Sequence, residues 1–231
     1  MDRSRRLSLP RRVVCVAVGL NHSLAVDECG KLFSWGSESA PLGYEAAAPQ
    51  LTPRRVCFSA TRTKGVDERV GVVSAAATDH HNLAVSRDGC VFAWGTNARG
   101  QLGMPTGAEN AETTPRRVDS LRHTSGDAVV GAAAGSAHSA CVCRDGAVWA
   151  WGFDRPAPSC VRLSASPHPD GTRSHTRRPK PLAVQLACGD SHAAAVATNG
   201  SVFVWDESLS AREVRLPGRR VAQVAAARYS T

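Results

Sequence analysis

Short apolar runs separated by glycine-punctuated polar turns recur along the whole chain, and their lengths suit strands rather than helices. The runs VVCVAVG (13–19), VVGAAAG (129–135) and VQLACG (184–189) are brief and partly β-branched, which predicts strands buried on both faces. A second run follows each of these and begins at a histidine: HSLAV, HNLAV, HSACV and HAAAV. The turns ECGK, RDGC, RDGA and TNGS come next. Three of these four carry Asp-Gly or Asn-Gly, so the expectation is a two-residue hairpin with positive φ at both central positions. A third run, KLFSW, CVFAW, AVWAW or SVFVW, closes on a tryptophan, and its alternation places Phe33, Phe92, Trp149 and Phe203 on the face of that tryptophan.

One ruler therefore fits four times: His22, Gly30 and Trp35; His81, Gly89 and Trp94; His138, Gly146 and Trp151; His192, Gly200 and Trp205. Four of the chain's five tryptophans fall on it, which chance does not explain. A unit of this length is too long for the common helical repeats and suits a four-stranded antiparallel blade of a β-propeller. The fourth strand is marked by PRRV at 53–56 and 115–118, where proline fits an outer edge, with variants LPRRV (9–13) and LPGRRV (216–221). The predicted organisation is a basic tail over 1–8 and repeats over 9–231, divided near 13–69, 70–128, 129–183 and 184–220. VAQVAAARYST (221–231) aligns with the first inner strand and predicts the start of a fifth unit.

With histidine, glycine, Trp-Gly and NARGQLG (97–103) in place, the pattern resembles the repeat of the regulator of chromosome condensation family over residues 9 to 231. The second unit matches best. The first keeps Trp35-Gly36 but has SESAPLG for the glycine-glutamine loop, the third departs after Trp151-Gly152, and the fourth has Asp206 for the glycine. The resemblance implies an all-β propeller; members of the family have seven blades, and four are present here. Bare blade faces and strand edges invite association. The expectation is that further blades or self-association close the ring, an open arc being the alternative.

No run approaches eighteen apolar residues, which excludes a spanning helix. The basic start and short apolar stretch mimic a secretory leader, but that stretch already belongs to the first repeat strand, and Asp2 opposes a mitochondrial presequence. Eight cysteines at unmatched positions predict reduced thiols in the cytosol or nucleus, not a disulfide framework. Cys141 and Cys143 form a C-x-C on a strand without a second pair, so no metal and no cofactor are expected. The net charge of +8 comes from 25 arginines and three lysines against 20 acidic residues. Arg3, Arg5 and Arg6 crowd the tail, while Arg173, Arg177, Arg178 and Lys180 crowd a Pro- and Ser-rich segment, 153–181, expected to be a mobile basic loop. Clustered arginines suit phosphate or an acidic protein surface.

A residue type repeated at one place in four units points to structure, so the four histidines are read as anchors and the chain as no ordinary enzyme. No phosphate loop, nucleophile elbow or helix-borne metal motif is present. The expected function is a scaffold that binds a protein partner through its loops. The family resemblance implies two alternatives, guanine-nucleotide exchange on a Ran-type small GTPase and chromatin binding. For the first, Gly189-Asp190-Ser191-His192 is similar to the family's exchange-factor motif, which makes Asp190 its candidate residue; Asp79 is a weaker counterpart. The wedge-forming hairpin of that exchange factor has no counterpart in DESLSAREV after Trp205. The basic clusters carry the chromatin alternative, and without interleaved aromatics they lack base-reading geometry. The Gly-Trp-Arg-His-Thr motif of the light-sensing branch is absent.

Overall fold

A computed structural model describes residues 9, 11–37, 41–58, 70–105, 110–121, 127–164, 181–214, 216 and 219–226. Among the described residues, sixteen strands form four antiparallel blades in chain order. The first blade holds β1 (Val13–Val18), β2 (His22–Asp27), β3 (Leu32–Gly36) and β4 (Gln50–Arg55). The second holds β5 (Val72–Ala77), β6 (His81–Ser86), β7 (Val91–Thr96) and β8 (Ala111–Arg117). The third holds β9 (Val129–Ala134), β10 (His138–Cys143), β11 (Val148–Gly152) and β12 (Arg155–Ser164). The fourth holds β13 (Ala183–Cys188), β14 (Ala193–Ala197), β15 (Val202–Trp205) and β16 (Ser210–Val214).

Strand alternation gives each blade two apolar faces, and the core lies between blades rather than within them. Leu24, Val26 and Leu32 of the first blade meet Ala84, Phe92 and Trp94 of the second. Leu83, Val85 and Val91 of the second meet Cys141, Cys143 and Trp151 of the third. Ala140, Val142 and Val148 of the third meet Ala195, Phe203 and Trp205 of the fourth. Trp94, Trp151 and Trp205 thus face the preceding blade. Trp94, Trp151 and Trp205 are buried, whereas Trp35, in the first of the four blades, is half-buried.

The hairpin turns differ from the expected two-residue type. In all four, the ruler glycine alone has positive φ (82°, 79°, 75° and 80°), and Asp88, Asp145 and Asn199 do not. The glycine amide donates three residues back, as in Gly89 N to Ser86 O at 2.9 Å, and Ser86 N donates across the turn to Cys90 O at 2.9 Å. This is a three-residue loop, a type I turn closed by a glycine bulge. The aspartate or asparagine accepts main-chain N–H groups within the turn instead, Asp145 Oδ1 from Ala147 at 2.9 Å and Asn199 Oδ1 from Ser201 at 3.0 Å.

The ruler glycine has a second duty. A Cβ on Gly89 would sit 2.5 Å from Ala128 Cβ, and one on Gly146 would sit 2.6 Å from Leu182 Cα, because the chain entering the next blade crosses over the turn. The glycine carbonyl accepts from that crossing: Val72 N to Gly30 O at 2.8 Å, Val129 N to Gly89 O at 3.3 Å, Ala183 N to Gly146 O at 3.2 Å. Val221 N makes the same bond to Gly200 O at 3.2 Å. Residues 221–226 therefore enter in the register of a next inner strand, and Val224 N reaches Gln185 Oε1 at 3.1 Å, although they form no ladder among the described residues.

The segment expected as a mobile loop, 153–181, is in part strand. Arg155–Ser164 is the longest strand among the described residues, with Val161 buried and Leu163 packed on the core between the third and fourth blades. Its prolines hid it: Pro156 and Pro158 sit on an outer strand, where a missing N–H is tolerated. β12 also pairs in parallel with β16, Arg162 opposite Ser210 and Leu163 opposite Ala211, which merges the third and fourth blades into one eight-stranded sheet.

Candidate functional site

The four histidines begin or precede the second strand of each blade, and two of them, His22 and His81, hydrogen-bond into the next blade. His22 Nε2 lies 2.7 Å from Asn82 Oδ1, a carbonyl-type acceptor, so that nitrogen carries the proton. Asn82 Nδ2 donates to Pro41 O at 2.7 Å, and the Trp94 indole N–H donates to the same oxygen at 2.8 Å. One junction on, His81 Nε2 lies 2.9 Å from Ser139 Oγ; that hydroxyl donates to Gln101 O at 2.8 Å, and the Trp151 indole N–H joins it at 2.8 Å. A main-chain carbonyl in the loop after one blade's tryptophan thereby clamps the next blade's tryptophan and the residue after its histidine. Gly43 and Gly103 let these loops lie on the indoles, since their Cβ atoms would approach Nε1 to 3.3 and 3.0 Å.

SESAPLG in the first unit therefore performs the task of NARGQLG in the second. Both carry a buried leucine, Leu42 or Leu102, just before their final glycine. The first loop looks like a departure in sequence because the working group is a backbone carbonyl, which leaves no residue signature. The second loop is braced further by Asn97, whose Oδ1 accepts from Leu102 N at 3.0 Å and whose Nδ2 donates to Met104 O at 3.2 Å.

The junction between the third and fourth blades breaks the pattern. Ala193 stands where Asn82 and Ser139 stand, and the ring nitrogens of buried His138 make no hydrogen bond of ordinary geometry among the described residues. The imidazole instead stacks on Phe153, centroids 4.4 Å apart. In the first three blades the glycine after the tryptophan pairs with the histidine, and a Cβ there would come within 2.3 to 2.4 Å of the preceding carbonyl oxygen. Asp206 cannot fit that gap; the ladder starts instead at Ala193 opposite Trp205, and His192 lies outside the strand. Asp190, the candidate exchange-factor residue, accepts a hydrogen bond from the Ser136 hydroxyl of the neighbouring blade and is half-buried.

Burial governs the titration of these histidines. Desolvation pushes His81 down to about 3, helped by the nearby His138 and His80, so it is neutral at physiological pH. His138 is lowered to about 4, again mainly by burial and then by His192, against weaker opposing effects of the His192 main chain and Asp190. His22 is lowered by burial too, with its Asn82 hydrogen bond resisting. All eight cysteines are free thiols, and burial raises Cys188 to about 12. Among the described residues, no group of three or more His, Cys, Asp or Glu could hold a metal ion, and no helix is long and apolar enough to cross a membrane.

Arg3, Arg5, Arg6, Arg173, Arg177, Arg178 and Lys180 lie outside the described residues.

The pattern of the regulator of chromosome condensation (RCC1) repeat matches residues 88–142, and a second pattern for the same repeat matches 13–40, 72–101 and 183–205. The chain belongs to the RCC1 repeat family. The probable E3 ubiquitin-protein ligase HERC6 of Homo sapiens is 31% identical over 207 residues, covering 84% of this chain and 18% of that protein. Protein pim1 of Schizosaccharomyces pombe is 25% identical over 222 residues, covering 88% of this chain and 40% of its own length. Among solved structures, human WBSCR16 superposes with a TM-score of 0.76 at 24% identity over 96% of this chain and 57% of that one. Prp20p of Saccharomyces cerevisiae gives 0.71 at 20% identity over 95% and 55%, in a structure described together with its binding to Gsp1p and histones. These likenesses establish an all-β RCC1 propeller fold, of which the chain carries four four-stranded blades. The chain spans well under half the length of the curated relatives it matches here.

Proposed function

We propose that this RCC1 repeat chain is a protein-interaction module that presents its loops to a macromolecular partner from a stiff propeller scaffold. The observation that carries this reading is the carbonyl clamp: Pro41 and Gln101 fasten the loops after Trp35 and Trp94 to the neighbouring blades. Loops held this way lose little entropy on binding. The arginines at 173, 177 and 178, with Lys180, supply bidentate and point-charge contacts to an acidic protein surface, and Arg3, Arg5 and Arg6 extend that basic character. Free thiols fit residence in the reducing cytosol or nucleus. The test is charge reversal. Arg177→Glu with Arg178→Glu weakens capture of an acidic partner by about tenfold or more, as expected for two lost charge-assisted contacts. Unchanged capture would remove those residues from the binding surface.

The second reading is guanine-nucleotide exchange on a Ran-type GTPase, favoured by Asp190 in its Gly-Asp-Ser-His context and by the Gsp1p binding named for Prp20p. Its carboxylate is tied to Ser136, so the same residue also stitches two blades together. An exchange factor holds the nucleotide-free state through contacts that only that state allows. Purified chain would then accelerate loss of labelled GDP from such a GTPase, and Asp190→Ala would abolish the acceleration in a chain that thermal melts show to be folded. No acceleration by the unaltered chain would end this reading. Chromatin binding through the basic clusters is the third, and competition of histone binding by an acidic peptide tests it.

A further inference from the structure

We propose that the cavity between the first and second blades is a binding site for a basic side chain, a guanidinium or an ammonium, presented by a partner protein. The cavity measures about 390 Å³. One wall is the clamp loop, Pro41, Leu42 and Tyr44 with Glu45; the other is built from Asp79, His80 and the start of β8 around Glu112. Three acidic residues thus line one concavity in a chain whose net charge is +8. Tyr44 is a fixed part of the wall, since its hydroxyl donates to Ser34 O at 3.0 Å and Arg54 lies over its ring at 4.4 Å.

The next junction holds an arginine–carboxylate pair between the corresponding loops. At the next junction the chain supplies an arginine of its own: Arg99 Nε lies 2.8 Å from Asp154 Oδ1, and Asp154 N donates to Arg99 O at 2.9 Å. The two places correspond by register, because Gly95 pairs with Glu112 as Gly152 pairs with Arg155, which sets Ala111 where Asp154 stands. The loop leading to Pro41 reads Ser37-Glu38-Ser39-Ala40 and contains no arginine. A cation from outside would meet carboxylates at its head and Pro41, Leu42 and Tyr44 along its methylene stem, the arrangement that long basic side chains favour. Glu112 already pairs with Arg116, and a carboxylate has acceptor capacity for a second partner.

This site rests on the reading of the chain as an interaction module, and it is separate from the arginines at 173–178. The probe is N-acetyl-arginine amide, titrated into the ¹⁵N-labelled full chain, with the citrulline compound as its neutral twin. The expected result is a saturable shift of the Gly95, Thr96, Ala111, Glu112 and Thr113 amides with arginine only. Glu45→Gln, at an exposed position, weakens it about tenfold, the size of one charge-assisted contact, and Glu45→Gln with Asp79→Asn abolishes it. Thermal melts establish that both variants are folded. Shifts elsewhere, equal shifts with citrulline, no saturable shift, or an undiminished shift in folded Glu45→Gln would each overturn the site. Arg177→Glu with Arg178→Glu leaves it intact, so failure here and failure of the acidic-partner reading are distinguishable.

Discussion

The junction between the second and third blades and the junction between the third and fourth join the same kind of sheet by different means. At the former, Gln101 O gathers Trp151 and Ser139, Ser139 receives His81, and the buried side chains between the sheets include Leu83, Val85, Leu102, Leu121 and Val129. At the latter, the histidine has no such partner, the glycine after the tryptophan has become Asp206, and alanines dominate the contact: Ala140, Ala150, Ala193, Ala195, Ala197 and Ala211. Small side chains leave room for the two sheets to approach, and β12 and β16 pair along their outer edges. Ser136 to Asp190 and Arg155 to Glu207 O at 3.0 Å add bonds that cross the same junction. The loss of an inner clamp is thus offset by continuity at the rim.

The sharpest break of this comparison is at the glycine after the tryptophan. Gly95→Ala would place a Cβ 2.3 Å from the His80 carbonyl oxygen at φ +107° and should cost about 3 kcal/mol or more, while exposed Asp206→Asn should stay within about 0.5 kcal/mol. Urea unfolding measures both.

Acid comes next. His81 and His138 have folded pKa values lowered to about 3 and about 4, whereas an unfolded histidine titrates near 6.5. Between those values the unfolded state binds protons that the folded state refuses. Stability is therefore unaffected above pH ~6.5 and falls on acidification by up to about 1.4 kcal/mol per pH unit per histidine, levelling below each folded pKa. Unfolding midpoints followed from pH 7 to 4 should show this decline, and His81→Gln should flatten it.

Smaller effects separate the junctions further. Trp151→Phe loses a buried indole hydrogen bond and part of the packing, for about 2 to 3 kcal/mol, against about 1 kcal/mol for Trp205→Phe, whose indole has no hydrogen bond among the described residues. Ser139→Ala strands His81 and should cost about 1 to 2 kcal/mol, while Ala193→Ser gives His138 a partner and should gain about 1 kcal/mol. Thermal melts of the paired variants check both signs.

The ruler of histidine, glycine and tryptophan made the blades and the first three strands of each legible, because side chains carry those contacts and alternate with the sheet. What lay hidden is mostly backbone. Pro41 acts through its carbonyl, so SESAPLG looks unlike NARGQLG although both clamp an indole. The turns looked like two-residue hairpins because Asp-Gly and Asn-Gly suit more than one turn type, and only φ separates them. β12 was concealed by proline-rich composition, and its parallel pairing with β16 depends on how close two sheets come, which no local pattern encodes. Asp190 stood out as a motif residue, but its bond to Ser136 of the neighbouring blade is a tertiary contact without a sequence signal.

Hydrogen exchange at the ring N–H of the ruler tryptophans, read from ¹H–¹⁵N spectra, tests the carbonyl clamp most directly. Trp94 and Trp151, bonded to Pro41 O and Gln101 O, should exchange slowly, and Trp35 and Trp205 quickly. Equal rates at all four positions, or slower exchange at Trp205 than at Trp151, would contradict it.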